Sequence, residues 1–164
     1  VAGVSGAALA TDPVAVGSGA NTAYMLINFS DGANYQFDVS FDGETSGIGL
    51  FDIIESDTTL VTDRTIYGDD AFIDGVTYGD HSDVGFGGGE DWWHYWIRES
   101  DSDGWQSPGY GASSRTVTDG SWDGWVYGSA GEPVPEPTSL MVLAVAGGAV
   151  TALRRRRRRI HARN

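Results

Sequence analysis

Cysteine and lysine are both absent from this chain. Without cysteine a folded body has no disulfides and must hold together by packing or by bound ions. Without lysine there can be no G-x-x-x-x-G-K-[ST] phosphate loop, and no G-x-S-x-G nucleophile elbow is present either. Basic charge is scarce throughout the middle of the chain. Between residues 11 and 137, Arg64, Arg98 and Arg115 stand against all 23 acidic residues, a formal charge of −20. The whole-chain value of −13 hides this, because the other seven arginines lie in the tail. A body this acidic repels phosphate backbones, which excludes nucleic acid as a partner, and it attracts divalent cations. A long apolar run is missing too. The uncharged stretch 140–153 has only 14 residues, which as a helix covers roughly 21 Å against a hydrocarbon core of about 30 Å.

What stands around that short stretch gives it meaning. Pro133, Pro135 and Pro137 fix φ, remove three backbone donors and push their preceding residues out of the helical region, so the segment is expected to be extended and exposed. After the apolar stretch come six consecutive arginines, Arg154, Arg155, Arg156, Arg157, Arg158 and Arg159. Positive charge beside a span stays cytoplasmic, so residues before Leu140 face outward. Gly147 and Gly148 weaken a span that is already short, making it a poor permanent anchor.

Val134-Pro135-Glu136-Pro137, a short apolar segment and an arginine cluster in that order resemble a PEP-CTERM sorting signal over residues 134–159. The resemblance implies recognition by exosortase, a membrane-embedded transpeptidase-like enzyme of exopolysaccharide-producing Gram-negative bacteria, with processing at Pro135-Glu136-Pro137. The inner membrane would be a transient partner before release to the cell surface or extracellular matrix. The alternative is an ordinary single-span anchor behind a proline-rich linker. Residues 1–10 are small and uncharged and contain the A-x-A signature Ala8-Leu9-Ala10, matching the end of a signal peptide; a frayed strand is the alternative. The expected organisation is therefore a signal-peptide end at 1–10, an acidic β-rich extracellular domain at 11–128, a Gly/Pro-rich linker at 129–137, a short transmembrane helix at 138–153 and a basic tail at 154–164.

Within the body, residues 21–41 read as a hairpin. Met25, Ile27 and Phe29 alternate on one side of Asp31-Gly32, a type I′ turn signal, and Tyr35, Phe37, Val39 and Phe41 alternate on the other. Leu50, Ile53 and Ile54 then switch to helical spacing, with Thr45 or Ser46 available as a cap, although a buried strand would give the same run. Short strands are expected at 59–67, 71–78, 91–98 and 122–127. Asp-Gly pairs at Asp31, Asp42, Asp74, Asp103, Asp119 and Asp123 each read as turns. This pattern predicts an α+β fold, a β-grasp-like mixed sheet with one short helix, followed by the C-terminal hydrophobic helix; the alternative is an all-β sandwich.

All six tryptophans fall between Trp92 and Trp125. Strand alternation puts Trp92, His94 and Trp96 on one face and Trp93, Tyr95 and Ile97 on the other. The order Trp93-x-Tyr95-Trp96, Gly104-Trp105, Gly111-Ala112, Asp119-Gly120 and Gly124-Trp125-x-Tyr127 resembles the C-terminal half of transcobalamin-C-terminal-like β-grasp domains. Leu50 to Ile54 stands where that family has its helix and Ile73-Asp74-Gly75 where it has the next strand. The helical domain that accompanies such a module in transcobalamin has no counterpart here, so cobalamin binding does not carry over.

Two functions follow from the aromatic half. Trp92, His94, Trp96, Trp105 and Trp122 are the candidate platform for a glycan or a small planar ligand; alternatively the rings simply build the core. Glu99-Ser100-Asp101-Ser102-Asp103-Gly104 begins like a calcium loop, which makes Asp101 and Asp103 candidate calcium ligands, but position twelve is Tyr110 and the loop fails as an EF-hand. Zinc would find only His81 and His94 in the body, with no H-E-x-x-H. The expectation is a non-catalytic binding module. A calcium-stabilised structural protein of the exopolysaccharide matrix is the first alternative and a hydrolase the second.

Overall fold

The computed structural model describes residues 12–85, 91–128 and 131–134. The expected signal-peptide end, Pro135, Glu136 and Pro137, the transmembrane helix at 138–153 and the Arg154 to Arg159 cluster lie outside the described residues. Chain order runs β1 (Val14–Gly17), β2 (Asn21–Asn28), β3 (Asn34–Phe41), α1 (Gly47–Asp57), β4 (Val61–Tyr67), β5 (Asp70–Tyr78), β6 (His81–Val84), β7 (Trp93–Arg98), a 3-10 turn at Ala112–Ser114, and β8 (Trp122–Tyr127).

The hairpin of β2 and β3 forms in the register its alternation predicts, with Met25 opposite Phe37 and Ala23 opposite Val39, all fully buried. Its connection differs from the expected type I′ turn. That turn needs positive φ at both central residues, yet only glycines take positive φ among the described residues, and Gly32 does so at 89°. The Asp31 carboxylate instead accepts the Ala33 N–H at 2.9 Å and faces His81 Nδ1 at 2.6 Å. The helix starts at the expected cap: the Ser46 hydroxyl accepts from the Gly49 N–H, and Leu50, Phe51 and Ile54 are buried.

The β-grasp expectation is overturned. Five strands form one sheet in the order β1-β3-β2-β8-β7, and three more form a separate antiparallel sheet, β4-β5-β6. The first sheet is mixed: β1 runs parallel to β3 and β8 parallel to β2, while the β2–β3 and β7–β8 pairs are antiparallel. Strands β4 to β6 pair in succession through tight turns where Gly68 and Gly79 take positive φ, so they close on one another and leave the main sheet to distant partners. Ile73 and Val76 of β5 still reach the common core with Phe37, Phe51 and Trp125.

Two of the six Asp-Gly pairs also depart from expectation. Gly32, Gly43 and Gly120 take positive φ in turns, but Asp74-Gly75 and Asp123-Gly124 lie inside β5 and β8. Close approach explains both. A Cβ on Gly75 would meet Val84 Cγ2 at 2.9 Å, and one on Gly124 would meet Pro133 Cγ at 2.3 Å. Local turn propensity yields where tertiary packing demands a missing side chain.

Phe51 joins the helix to the main sheet, fully buried with its ring 5.3 Å from that of Trp125. Replacing it with alanine should lower unfolding free energy by about 3–5 kcal/mol, measured as a reduced urea midpoint at unchanged slope.

Candidate functional site

The main sheet ends at β7, whose outer edge is only partly covered. In an antiparallel pair alternate residues exchange both hydrogen bonds with the neighbour. The Gly128 N–H donates to Trp92 O, while Ile97 exchanges both of its backbone bonds with Gln106 on the opposite side. That phase turns the backbone groups of Trp93 and Tyr95 toward the outer edge of the sheet. Against this edge lie β5 and the loop that ends in the 3-10 turn, joined to each other by the Ala71 N–H donating to Ser113 Oγ at 2.8 Å. The result is a groove of about 530 Å³, open to solvent.

Aromatic rings dominate its walls. Trp92, Trp93, His94 and Tyr95 come from β7 and the residue before it, Phe72 from β5, Tyr110 from the loop and Trp125 from β8. Phe72 and Tyr110 are about half exposed, so two rings reach solvent at the rim while Trp93 and Trp125 are buried behind them. Tyr95 stacks on Trp125 with centroids 4.7 Å apart, and the Trp93 indole N–H donates to Asp83 O at 3.1 Å. The wall is thus rigid. Among the described residues lining the groove there is no Asp, Glu or Arg.

Charge sits one layer deeper. The Tyr95 hydroxyl donates to Asp123 Oδ2 at 2.7 Å, and Asp123 is fully buried. Arg115, itself buried, lies with Nε 3.5 Å from Asp123 Oδ1 and grips Glu99 through two hydrogen bonds of 2.6 and 3.1 Å. Burial pushes the Asp123 carboxyl up to about 6, against the lowering pull of the Tyr95 hydrogen bond and the Arg115 charge. Burial and the neighbouring Asp123 also raise Tyr95 well above its usual value, so it stays a neutral donor. Gly47, at the start of α1, makes room for this pair: a Cβ there would fall 2.7 Å from Asp123 Oδ2 and 2.8 Å from the Tyr95 hydroxyl.

The five residues of the sequence-predicted platform do not meet in one place. Trp92 and His94 line the groove, their rings 4.8 Å apart. Trp96 and Trp122 share the face of Trp92 and His94 by register but lie farther along it, with Trp105, outside the groove. There the Arg98 guanidinium lies 4.2 Å from the Trp122 ring and 4.7 Å from Trp105, while Tyr24 stacks on Trp122 at 4.5 Å. Those indole faces already hold a cation and a phenol. Of the calcium candidates, Asp101 pairs with Arg98 at 2.8 Å and Asp103 accepts from the Ser100 hydroxyl at 2.8 Å. No group of three or more His, Asp or Glu able to hold a metal occurs among the described residues. Phe72, Tyr110 and the Asp123 network are not legible as site residues in the sequence. Phe72 reads as ordinary strand alternation, Tyr110 as loop, and Asp123 as the head of a turn.

Comparison with known proteins bears on the tail alone. The PEP-CTERM protein-sorting motif matches residues 133–158, which marks the chain as an exported, cell-surface protein processed by exosortase. No curated protein and no solved structure matches the chain, so the likeness to transcobalamin-type domains has no support. No helix among the described residues is long and apolar enough to cross a membrane.

The buried carboxylate generates a pH test. Unfolded, Asp123 ionises near its usual 3.8; folded, near 6. Its contribution is therefore complete below pH 4 and is lost as pH rises through 6, at up to about 1.4 kcal/mol per pH unit. Subtracting the stability profile of Asp123→Asn from that of the unaltered protein should leave this falling slope between pH 4 and 6. A flat difference would mean that Asp123 is ionised throughout.

Proposed function

We propose that the folded body is a non-catalytic binding module that takes a sugar or another small ring-bearing ligand in the groove beside β7. The observation that carries this reading is the presence of two half-exposed rings, Phe72 and Tyr110, in the lining of a groove whose wall adds Trp92 and His94. Rings held this way offer flat apolar faces to the C–H surfaces of a pyranose, and the Trp93 and Tyr95 backbone groups at the sheet edge offer hydrogen bonds to its hydroxyls. Among the described residues of the lining there is no carboxylate, which favours binding over hydrolysis, since glycoside cleavage needs two of them about the bond. With a formal body charge of −20, neutral or cationic glycans are favoured over acidic ones.

The sorting motif gives this module its setting. In this reading the chain crosses the inner membrane of a Gram-negative bacterium, loses its tail to exosortase, and comes to rest at the surface or in the exopolysaccharide matrix, where neutral glycans are at hand. The calcium-stabilised matrix protein is the weaker reading, because Asp101 and Asp103 are engaged by Arg98 and Ser100.

Titration with neutral oligosaccharides should quench tryptophan fluorescence. Trp92→Ala and Tyr110→Ala should each weaken binding roughly tenfold, about 1.4 kcal/mol, whereas Trp105→Ala, outside the groove, should leave it unchanged. Equal losses in all three variants would rule the groove out as the binding site.

A further inference from the structure

The face of the main sheet turned away from α1 carries a second, smaller apolar layer, and its cover comes from the end of the described chain. Register puts Leu26 of β2, Gly124 and Val126 of β8 and Trp96 of β7 on this face. Leu26 is 1% exposed although, among the described residues, no strand packs above it. Residues 131–134 return across the sheet here. Pro133 is buried directly over Gly124, where any Cβ would lie 2.3 Å from Pro133 Cγ and 3.1 Å from Trp105 Cζ3. Beside it, Asn28 treats Val134 as a strand would. Asn28 Oδ1 accepts the Val134 N–H at 2.9 Å, and Asn28 Nδ2 donates to Val134 O at 3.1 Å and to Asn34 Oδ1 at 2.7 Å. Asn28 is itself only 7% exposed, and its amide is fully committed to Val134 and Asn34.

The sorting motif begins at Pro133, so its first two residues are built into the folded body. We propose that the Asn28–Gly124–Trp105 cleft is a docking site for the head of the sorting motif, and that release of Pro133 and Val134 from it limits the rate of tail removal. The proposal rests on the exosortase reading of the tail. Its physical basis is reach. With the strap docked, residues 135–139 are all that separate the body from the apolar run, at most about 17 Å of extended chain. With the strap peeled back to Gly128, residues 129–139 span up to about 37 Å. A membrane-embedded enzyme must grip an extended Pro-Glu-Pro segment between lipid and a folded domain. The shorter tether leaves it little room.

The test follows the full-length chain in an exosortase-containing cell, with the rate of tail loss read by pulse-chase and mass spectrometry. Asn28→Ala removes the paired hydrogen bonds, and Gly124→Ala fills the Pro133 seat. A Gly/Ser spacer of about ten residues inserted between Val134 and Pro135 lengthens the tether while leaving the strap docked and the body intact. All three should be processed several-fold faster than the unaltered chain. Equal or slower processing of the spacer variant overturns the proposal, whether or not the two substitutions disturb folding. So does an unchanged rate in Asn28→Ala whose melting temperature shows a folded body. Failure of the unaltered chain to lose its tail at all would instead remove the sorting reading, and the proposal with it.

Discussion

The parallel pairing of β2 with β8 is the contact on which the rest of the molecule depends. It joins segments far apart in the chain, Tyr24 to Trp122 and Asn28 to Val126, and makes β8 an interior strand with β7 on its other side. An interior strand buries both faces, and the sequence of β8 supplies for both. Asp123, Trp125 and Tyr127 face the helix and the second sheet, while Trp122, Gly124 and Val126 face the strap. The groove and the docking cleft hang from opposite sides of this strand. The groove is walled by Trp125 and the Tyr95 stacked on it; the cleft is floored by Gly124. Long-range parallel contacts also make slow folding the expected behaviour, because loop closure precedes any gain from pairing.

Electrostatics follow from scarcity. The body holds three arginines, and each sits at a junction. Arg64 ties the end of α1 to β4 through Asp52 at 2.6 Å and Glu55 at 2.8 Å. Arg98 lies against Trp105 and Trp122 while pairing with Asp101, and Arg115 bridges Glu99 and Asp123. Exposed pairs of this kind contribute little in isolation. Arg115 differs because it is buried beside a buried carboxylate, where removing either partner would strand the other charge. Among the described residues no other carboxylate is buried, so the rest of the acidic charge faces solvent as a strong negative field.

Local periodicity makes parts of this fold legible in the sequence itself. The alternation of Met25, Ile27, Tyr35 and Phe37 names a hairpin, and the spacing of Leu50, Ile53 and Ile54 behind Ser46 names a helix, because both signals lie within a few residues. Strands β1 and β6 leave no such trace, being four residues each with little alternation. Sheet order is illegible for a different reason. Nothing in Trp122 to Tyr127 says which distant strand it joins, so the single-sheet β-grasp arrangement and the split into two sheets predict the same local pattern. The candidate site suffers likewise. Alternation correctly places Trp92 and His94 together, but whether a face is open depends on what crosses it, and Arg98 and the strap come from elsewhere. Asp123-Gly124 reads as a turn until Tyr95 and Pro133 are seen to need the carboxylate and the missing side chain.

The groove and the strap occupy different stretches of the main sheet. The groove lies at the β7 edge, lined from the helix-facing side by Trp93, Tyr95 and Trp125 and from the other by Trp92 and His94, while the strap leaves the body beside Asn28 of β2. The two regions still share a strand, since Trp125 behind the groove and Gly124 beneath the strap are adjacent residues. Gly124 tolerates no side chain because the strap lies on it, with Trp105 close behind, so the head of the tail and the fold constrain each other's sequence. A segment needed for sorting also completes the apolar layer over Leu26. A cut anywhere beyond Val134 leaves Pro133 and Val134 with the body as part of its own packing.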